Sequence, residues 1–346
     1  MTTLSALRDG IRRVNAAPAV MFGVLLLTFL LALPLGVVLH GMIRESLGDS
    51  LAAGAAATGV NSEWWQEFES QATGVGLAFT PRIIGFGAVL ANLNSLVDGH
   101  PQVPAVAGAA VAYLLVWTFL AGGILDRYAR NRAVRTAAFF SACGIFFFRF
   151  LRLLVIVVVA YGLLYRFLYS WLFLSFYPWM THDWVVEQNA FFLRVALYVV
   201  FASALIAVNL LFDYAKARAV VEDRRSMIGA VLASFRFVRR HPGQTIGLYL
   251  IDGVLFGIVV LLYGLAAPGA GSIGWSMWAG LIVSELYLLA RLWVRLVFSA
   301  SEVALFQGLV AHAEYTAAPI PSWPESPAAE AIRPGAGDKL EKGAGC

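Results

Sequence analysis

Three groups of ionisable residues lie in or beside apolar runs, where charge is costly and function is the default explanation to weigh. Glu285 falls within Trp275–Val297, between Ser284 and Tyr287. At about 1.5 Å per residue it lies roughly 15 Å from the outer end of that run, near the middle of a bilayer. A carboxyl there could couple a proton or bind a substrate. The structural reading is a hydrogen bond, or an ion pair with Arg166.

Asp252, in the run Thr245–Ala266, and Arg291 with Arg295 form the second group. Both sets lie roughly 9 Å or less from the inner surface. The two arginines share a helix face at i, i+4. Intramembrane charges usually pair, so Asp252 is expected to meet Arg291 or Arg295. The sharper alternative is an anion or lipid-headgroup site.

The third group occupies two basic elbows. Residues Asp126–Leu153 read DRYARNRAVRTAAFFSACGIFFFRFLRL, and Asp213–Arg240 read DYAKARAVVEDRRSMIGAVLASFRFVRR. Each opens on an Asp at the end of an apolar run and closes on Phe-Arg-Phe-aliphatic-Arg. The interval from Asp126 to Phe148 equals that from Asp213 to Phe235. The charged positions are Asp126, Arg149 and Arg152 in one, and Asp213, Arg236 and Arg239 in the other. An aspartate near a helix C-terminus opposes the dipole, so each predicts a nearby Arg. Bracing of helix ends is the structural reading; binding of anionic lipid or a cytoplasmic protein is the functional one.

Other chemistries lack their signatures. Gly269, Gly271 and Gly274 match GxGxxG, but no strand precedes them, so the nucleotide reading is rejected. There is no P-loop, HExxH or GxSxG. His182, Asp183 and Glu187, near Trp179 and Trp184, are too few for a metal site and read as a wet loop. Cys143 and Cys346 suggest neither a disulfide framework nor a metal site. No catalytic residue, cofactor, metal or nucleic-acid partner is expected. Gly253 and Gly257 form GxxxG, continued by Gly264, which implies close helix packing within the chain or between protomers.

The elements that position these residues follow from composition. The 346 residues are 60% hydrophobic and 13% charged, with mean hydropathy +0.75. Soluble domains are about half apolar and about a quarter charged. About six stretches reach the roughly 20 apolar residues a span needs: Ala19–Met42, Val103–Leu125, Arg149–Phe173, Phe191–Phe212, Thr245–Ala266 and Trp275–Val297. The expected fold class is all-α, a polytopic membrane bundle with two parallel two-helix repeats.

Orientation follows from the Lys and Arg. Arg8, Arg12 and Arg13 precede the first span; Arg127, Arg130, Arg132 and Arg135 follow the second. Lys216, Arg218, Arg224, Arg225, Arg236, Arg239 and Arg240 follow the fourth. The alternate loops are poor in both, so both termini are expected on the cytoplasmic side of a bacterial inner membrane.

Domain organisation is then a basic lead-in over 1–18, a transmembrane domain over 19–315, and a disordered, Pro- and Gly-rich cytoplasmic tail over 316–346. The lead-in, Leu4–Val14, reads as an amphipathic helix on the anionic inner leaflet, or as a solvated helix start. The outer loop, 43–102, is too apolar for a linker. Asn61 or Ser62 can cap a helix bearing Trp64, Trp65 and Phe68, which suit the membrane interface. Thr80-Pro81 starts a second helix, over 81–97, that is interfacial, re-entrant or packed on the bundle as a lid. On the second elbow, Met227, Val231, Leu232, Phe235 and Val238 form the expected apolar stripe, ended by His241-Pro242-Gly243.

The run VVEDRRSMIGAVLASFRFVRRHPGQTIGLYLI, from Val220 to Ile251, resembles a pattern in poorly characterised bacterial polytopic membrane families. These include the membrane domain of some glycerophosphodiester phosphodiesterases. An acidic residue, a small-aliphatic helix and a glycine-led span recur there. The resemblance implies a membrane domain and carries no catalysis, because nothing in the chain resembles their soluble catalytic part.

The function this supports is a non-enzymatic scaffold or accessory protein that binds membrane lipids or a membrane or cytoplasmic protein partner. The alternative is a transporter with Glu285 in its pathway. Reporters fused after Arg224 are expected to show cytoplasmic activity and no periplasmic activity. The reverse pattern overturns the orientation.

Overall fold

The computed structural model describes residues 2–48, 50–58, 61–79, 86–98, 103–267 and 274–310. Among these there is no strand. The Thr80-Pro81 helix start, the GxGxxG glycines Gly269 and Gly271, and the tail lie outside them.

The helices are α1 (Thr3–Asn15), α2 (Pro18–Leu47), α3 (Ala53–Thr58), α4 (Ser62–Gln71), α5 (Phe86–Asp98), α6 (Pro104–Arg130), α7 (Thr136–Leu163), α8 (Tyr177–Thr181), α9 (Glu187–Val221), α10 (Met227–Arg240), α11 (Pro242–Ala266) and α12 (Trp275–Leu309). A π-helix, Leu164–Phe176, joins α7 to α8, so Thr136–Thr181 is one helical run of 46 residues. Five elements are long and apolar enough to cross a bilayer: α2, α6, that run, α9 and α11. The chain is a polytopic helical bundle. The sixth expected span lies in α12, which is not among the five, because Glu285, Arg291 and Arg295 dilute its apolar character.

Local chemistry accounts for the breaks. Asn131 and Asp223, in the left-handed region at φ 49° and 46°, turn the chain after α6 and α9, as helix stops commonly do. The Ser226 hydroxyl accepts from Gly229 N at the start of α10, and Asn61 caps α4 by accepting from Glu63 N and Trp64 N. Pro242 occupies the first turn of α11. The equal Asp-to-Phe spacing does not survive at the turns: α6 ends about one turn after Asp126, α9 about two after Asp213. In both elbows, however, the first Phe is exposed (Phe148, Phe235) and the second buried (Phe150, Phe237).

Helix ends gather at one pole, the basic end. There α1 packs along the last turns of α12 rather than lying free on a leaflet. Ala6, Gly10 and Val14 are buried. A Cβ on Gly10 would lie 2.7 Å from the backbone nitrogen of Ser301, so only glycine permits this approach. Gly122 and Gly123 do the same between α6 and α7, where added Cβ atoms would meet Phe146 and Cys143 at 2.7 and 2.5 Å. By contrast Gly253 and Gly257 have nothing within 4 Å, so that motif makes no close contact within the chain; a Cβ on Gly264 would meet Phe86 of α5.

The buried face of α10 is Met227, Ala230, Ser234 and Phe237. Leu232 and Phe235, expected in the apolar stripe, are exposed together with Ile228. The stripe is therefore rotated, and α10 has a second apolar face.

At the opposite, loop end, Trp64, Trp65 and Phe68 are buried against Met42, Ile43 and Leu47 of α2. Trp64 Nε1 donates to Ser46 Oγ at 3.1 Å. Asp98, at the end of α5, accepts from Tyr198 at 2.7 Å and Tyr169 at 3.5 Å, tying that helix to α9 and the π-helix.

Gly10→Ala is expected to destabilise the protein by roughly 1–3 kcal/mol through overpacking against α12. Gly253→Ala is expected to be neutral or slightly stabilising, since alanine favours helix by about 1 kcal/mol over glycine. Thermal unfolding in detergent checks the contrast; equal shifts in both variants would refute the docking of α1.

Candidate functional site

The polar residues of α12 open onto a groove of about 750 Å³ between α2, α6 and α12. Phe22, Leu25, Leu26 and Phe29 of α2 and Leu288 and Leu292 of α12 form its apolar walls. Its polar lining is Thr28, Tyr113, Glu285, Arg291 and Arg295. Phe22, Leu26, Phe29 and Leu288 are themselves exposed, so the groove opens sideways from the bundle.

The two arginines differ. Arg295 donates from Nη1 to the Tyr113 hydroxyl at 2.9 Å, with its guanidinium carbon 3.5 Å from the Trp117 ring centre. That contact combines cation–π attraction with a hydrogen bond and fixes the group. Arg291, one turn earlier, has no ion pair among the described residues. Glu285 is exposed on the same groove and likewise unpaired. The expected Glu285–Arg166 pair does not form; Arg166 is exposed on the π-helix.

Arg291 and Arg295 also line a second cavity, of about 310 Å³, with Asp252, Tyr249, Gly253 and Phe256. The expected ion pair of Asp252 with either arginine is absent. Arg295 is drawn to Tyr113 and Trp117 instead. Asp252, 3% exposed, accepts only from Ser301 Oγ, at 3.3 Å, and its Oδ1 has no partner. The single Ser301 hydrogen has a nearer acceptor, Val297 O at 2.7 Å. Asp252 is thus a buried carboxyl with almost no compensation, an expensive arrangement. Glu302, also 3% exposed and with Oε1 unpartnered, lines a small space with Asp213 and Lys216.

The elbow residues brace the basic end. Asp126 pairs with Arg130 one turn on, at 2.9 Å. Asp213 pairs with Lys216, at 2.5 Å, and not with the Arg expected; a lysine within the same turn reaches it first. Arg149 donates to Asp223 at 2.5 Å, so the two elbows bond directly to each other. Arg152, Arg236 and Arg239 form no ion pair among the described residues and are exposed. Glu222 accepts from Arg218 Nε at 2.9 Å and Arg224 Nε at 2.5 Å. Burial pushes its carboxyl upward, but the two guanidinium groups outweigh burial and hold it below the usual range.

His182 and Asp183 bond to each other at 2.7 Å and are both exposed. Among the described residues, no three His, Cys, Asp or Glu converge as a metal site would need.

Sequence reasoning missed Tyr113, Glu302, Arg13 and the Asp98–Tyr198 bond. Glu302 and Arg13 had a signal, a charge beside an apolar run; Tyr113 and Asp98 gain meaning only from partners far along the chain. No protein-family model matches this chain, and no curated protein or solved structure matches it significantly.

Because Glu222 is depressed in the folded state, its stabilisation is present above the unfolded glutamate value of about 4.3 and is lost as pH falls through the folded value. Glu222→Gln is expected to destabilise the elbow by about 1–3 kcal/mol at pH 7, the worth of hydrogen bonds to a charge. The gap from wild type should narrow below about pH 4. Melting temperatures from pH 7 to pH 3.5 check this, and a gap independent of pH would contradict it.

Proposed function

We propose that this chain is a non-enzymatic, multi-pass protein of a bacterial inner membrane that holds an acidic amphiphile in the groove beside α12. Its basic end would face the cytoplasm, as the Lys and Arg distribution favours. The observation that carries the reading is Arg291, a guanidinium with no ion pair among the described residues, at the edge of an apolar groove that opens sideways from the bundle. A headgroup carboxylate or phosphate would supply the missing charge, and its acyl chain would lie along Phe22, Leu26 and Phe29. Arg295, held by Trp117 and Tyr113, would meet the headgroup in a preset orientation.

A second reading rests on Glu285. This carboxyl shares the groove with Arg291, and Asp252 shares the adjoining cavity. Both fit a transporter in which a proton or substrate passes along α12. The parallel repeat and a protein partner at the basic end belong to the proposal as well, supported by the common Phe-Arg-Phe burial pattern and the exposed Arg152 and Arg239.

Lipid retained through purification distinguishes the readings. Arg291→Ala/Arg295→Ala should lower co-purified acidic lipid several-fold, with zwitterionic lipid unchanged. Unchanged acidic lipid would refute the groove. Loss of proteoliposome flux in Glu285→Gln, with lipid retention intact, would favour transport.

A further inference from the structure

The basic end carries a further cavity, apart from the groove and from the space beside Asp252. It measures about 610 Å³ and is lined by Arg218, Arg224, Arg236, Arg240 and His241, over Phe237 and Leu309. Among the described residues, no acidic one lines it. Glu222 beside it is committed to Arg218 and Arg224 together. Arg236 and Arg240, at i, i+4 on one face of α10, have no ion pair among the described residues. One carboxylate therefore answers four guanidinium groups, and the cavity has a positive excess.

The cavity is also partly preset. Arg218 is fixed by Glu222, by Ala233 O at 2.9 Å, and by the Phe306 ring. Arg224 uses Nε on Glu222 and keeps its two terminal nitrogens. Fixed guanidinium forks match the oxygens of a phosphoryl group and lose little freedom on binding it. A single carboxylate would leave much of the positive excess unanswered; a phosphomonoester at neutral pH carries close to two charges and three acceptor oxygens.

We propose that this cavity binds a phosphomonoester anion through Arg236 and Arg240, with Arg218 and Arg224 completing the cradle. The ligand can be a lipid headgroup or a free phosphate ester. The exposed apolar face of α10, Ile228, Leu232 and Phe235, adjoins it, and Leu232 lines the cavity itself. That face would sit among acyl chains while the arginines reach headgroups, which favours the lipid source. The proposal does not rest on the groove beside α12.

Calorimetry on the full chain in detergent tests it. To keep the groove silent, the titrations are made on Arg291→Ala/Arg295→Ala protein as well as wild type. The probes are inorganic phosphate, glycerol 3-phosphate, dihexanoyl phosphatidic acid and dihexanoyl phosphatidylcholine. Phosphatidic acid should bind in both backgrounds, and Arg236→Ala/Arg240→Ala should weaken it about tenfold or more. Arg239→Ala, outside the cavity, should leave it unchanged. Arg236→Lys/Arg240→Lys keeps the charge and should still lose affinity, because the fork geometry goes. Should the double alanine variant unfold, the lysine variant and the salt dependence carry the test.

Binding of glycerol 3-phosphate or phosphate at matching strength would mean that the headgroup suffices. Binding of phosphatidic acid alone would identify the lipid source. Equal binding of phosphatidylcholine, no binding of any phosphomonoester, or full affinity in the lysine variant would overturn the proposal. Loss of binding only in the Arg291→Ala/Arg295→Ala background would assign it to the groove, and would overturn the proposal too.

Discussion

The last turn of α6 leaves backbone carbonyls without helical partners, and side chains from two other helices satisfy them. Arg13 of α1 donates to Tyr128 O at 2.8 Å, and Gln307 of α12 donates to Ala129 O at 2.9 Å. Arg13 also donates to Gln307 Oε1 at 2.8 Å and pairs with Asp9, 2.7 Å away. A cation at a helix C-terminus is favourable on electrostatic grounds as well. One buried guanidinium thereby joins α1, α6 and α12, and the rest of the basic end is built around that junction. Removing it would leave the buried carbonyl of Tyr128 without its donor.

The bundle consequently has two unlike ends. At the basic end lie most of its buried polar and charged residues: Arg13, Asp126, Arg127, Ser234, Thr245, Asp252, Ser301 and Glu302. Glycines on α1 and α6 let the helices approach closely enough there to exclude water, and the elbows lock through Arg149 and Asp223. Toward the loop end the helices separate. Only 6% of the apolar window of α2 is buried, and aromatic clusters around Trp65 and Phe201 replace continuous packing.

Along α11 and α12, charge is placed where no ion pair among the described residues answers it. Arg291 and Glu285 face the groove, Asp252 and Glu302 face small internal spaces, and among these Asp252 alone has a hydrogen bond, a long one. Buried carboxyls such as Asp252 and Glu302 are costly, whereas several charges in the elbows are paired. The same contrast separates the groove side of α12 from the paired charges Asp126–Arg130 and Arg149–Asp223.

Local sequence patterns alone determined the helical membrane class, five of the six spans, the cap at Asn61 and the break at His241-Pro242, because these depend on neighbours within a turn or on the run length a bilayer demands. The basic clusters likewise foretold that the elbows share one end. What only the tertiary structure decided was partnership. Asp252 and the arginines of α12 sit at matching depth, yet Arg295 turns to an aromatic pair on α6, since a side chain several bonds long selects among all neighbours within reach and depth does not rank them. The packing of Trp64 and Trp65 on α2, the docked lead-in helix, the rotated face of α10 and the open Gly253–Gly257 surface have the same origin. Each depends on which helix lies alongside, and helix-to-helix contacts are set by three-dimensional packing, which periodicity along one chain segment does not encode.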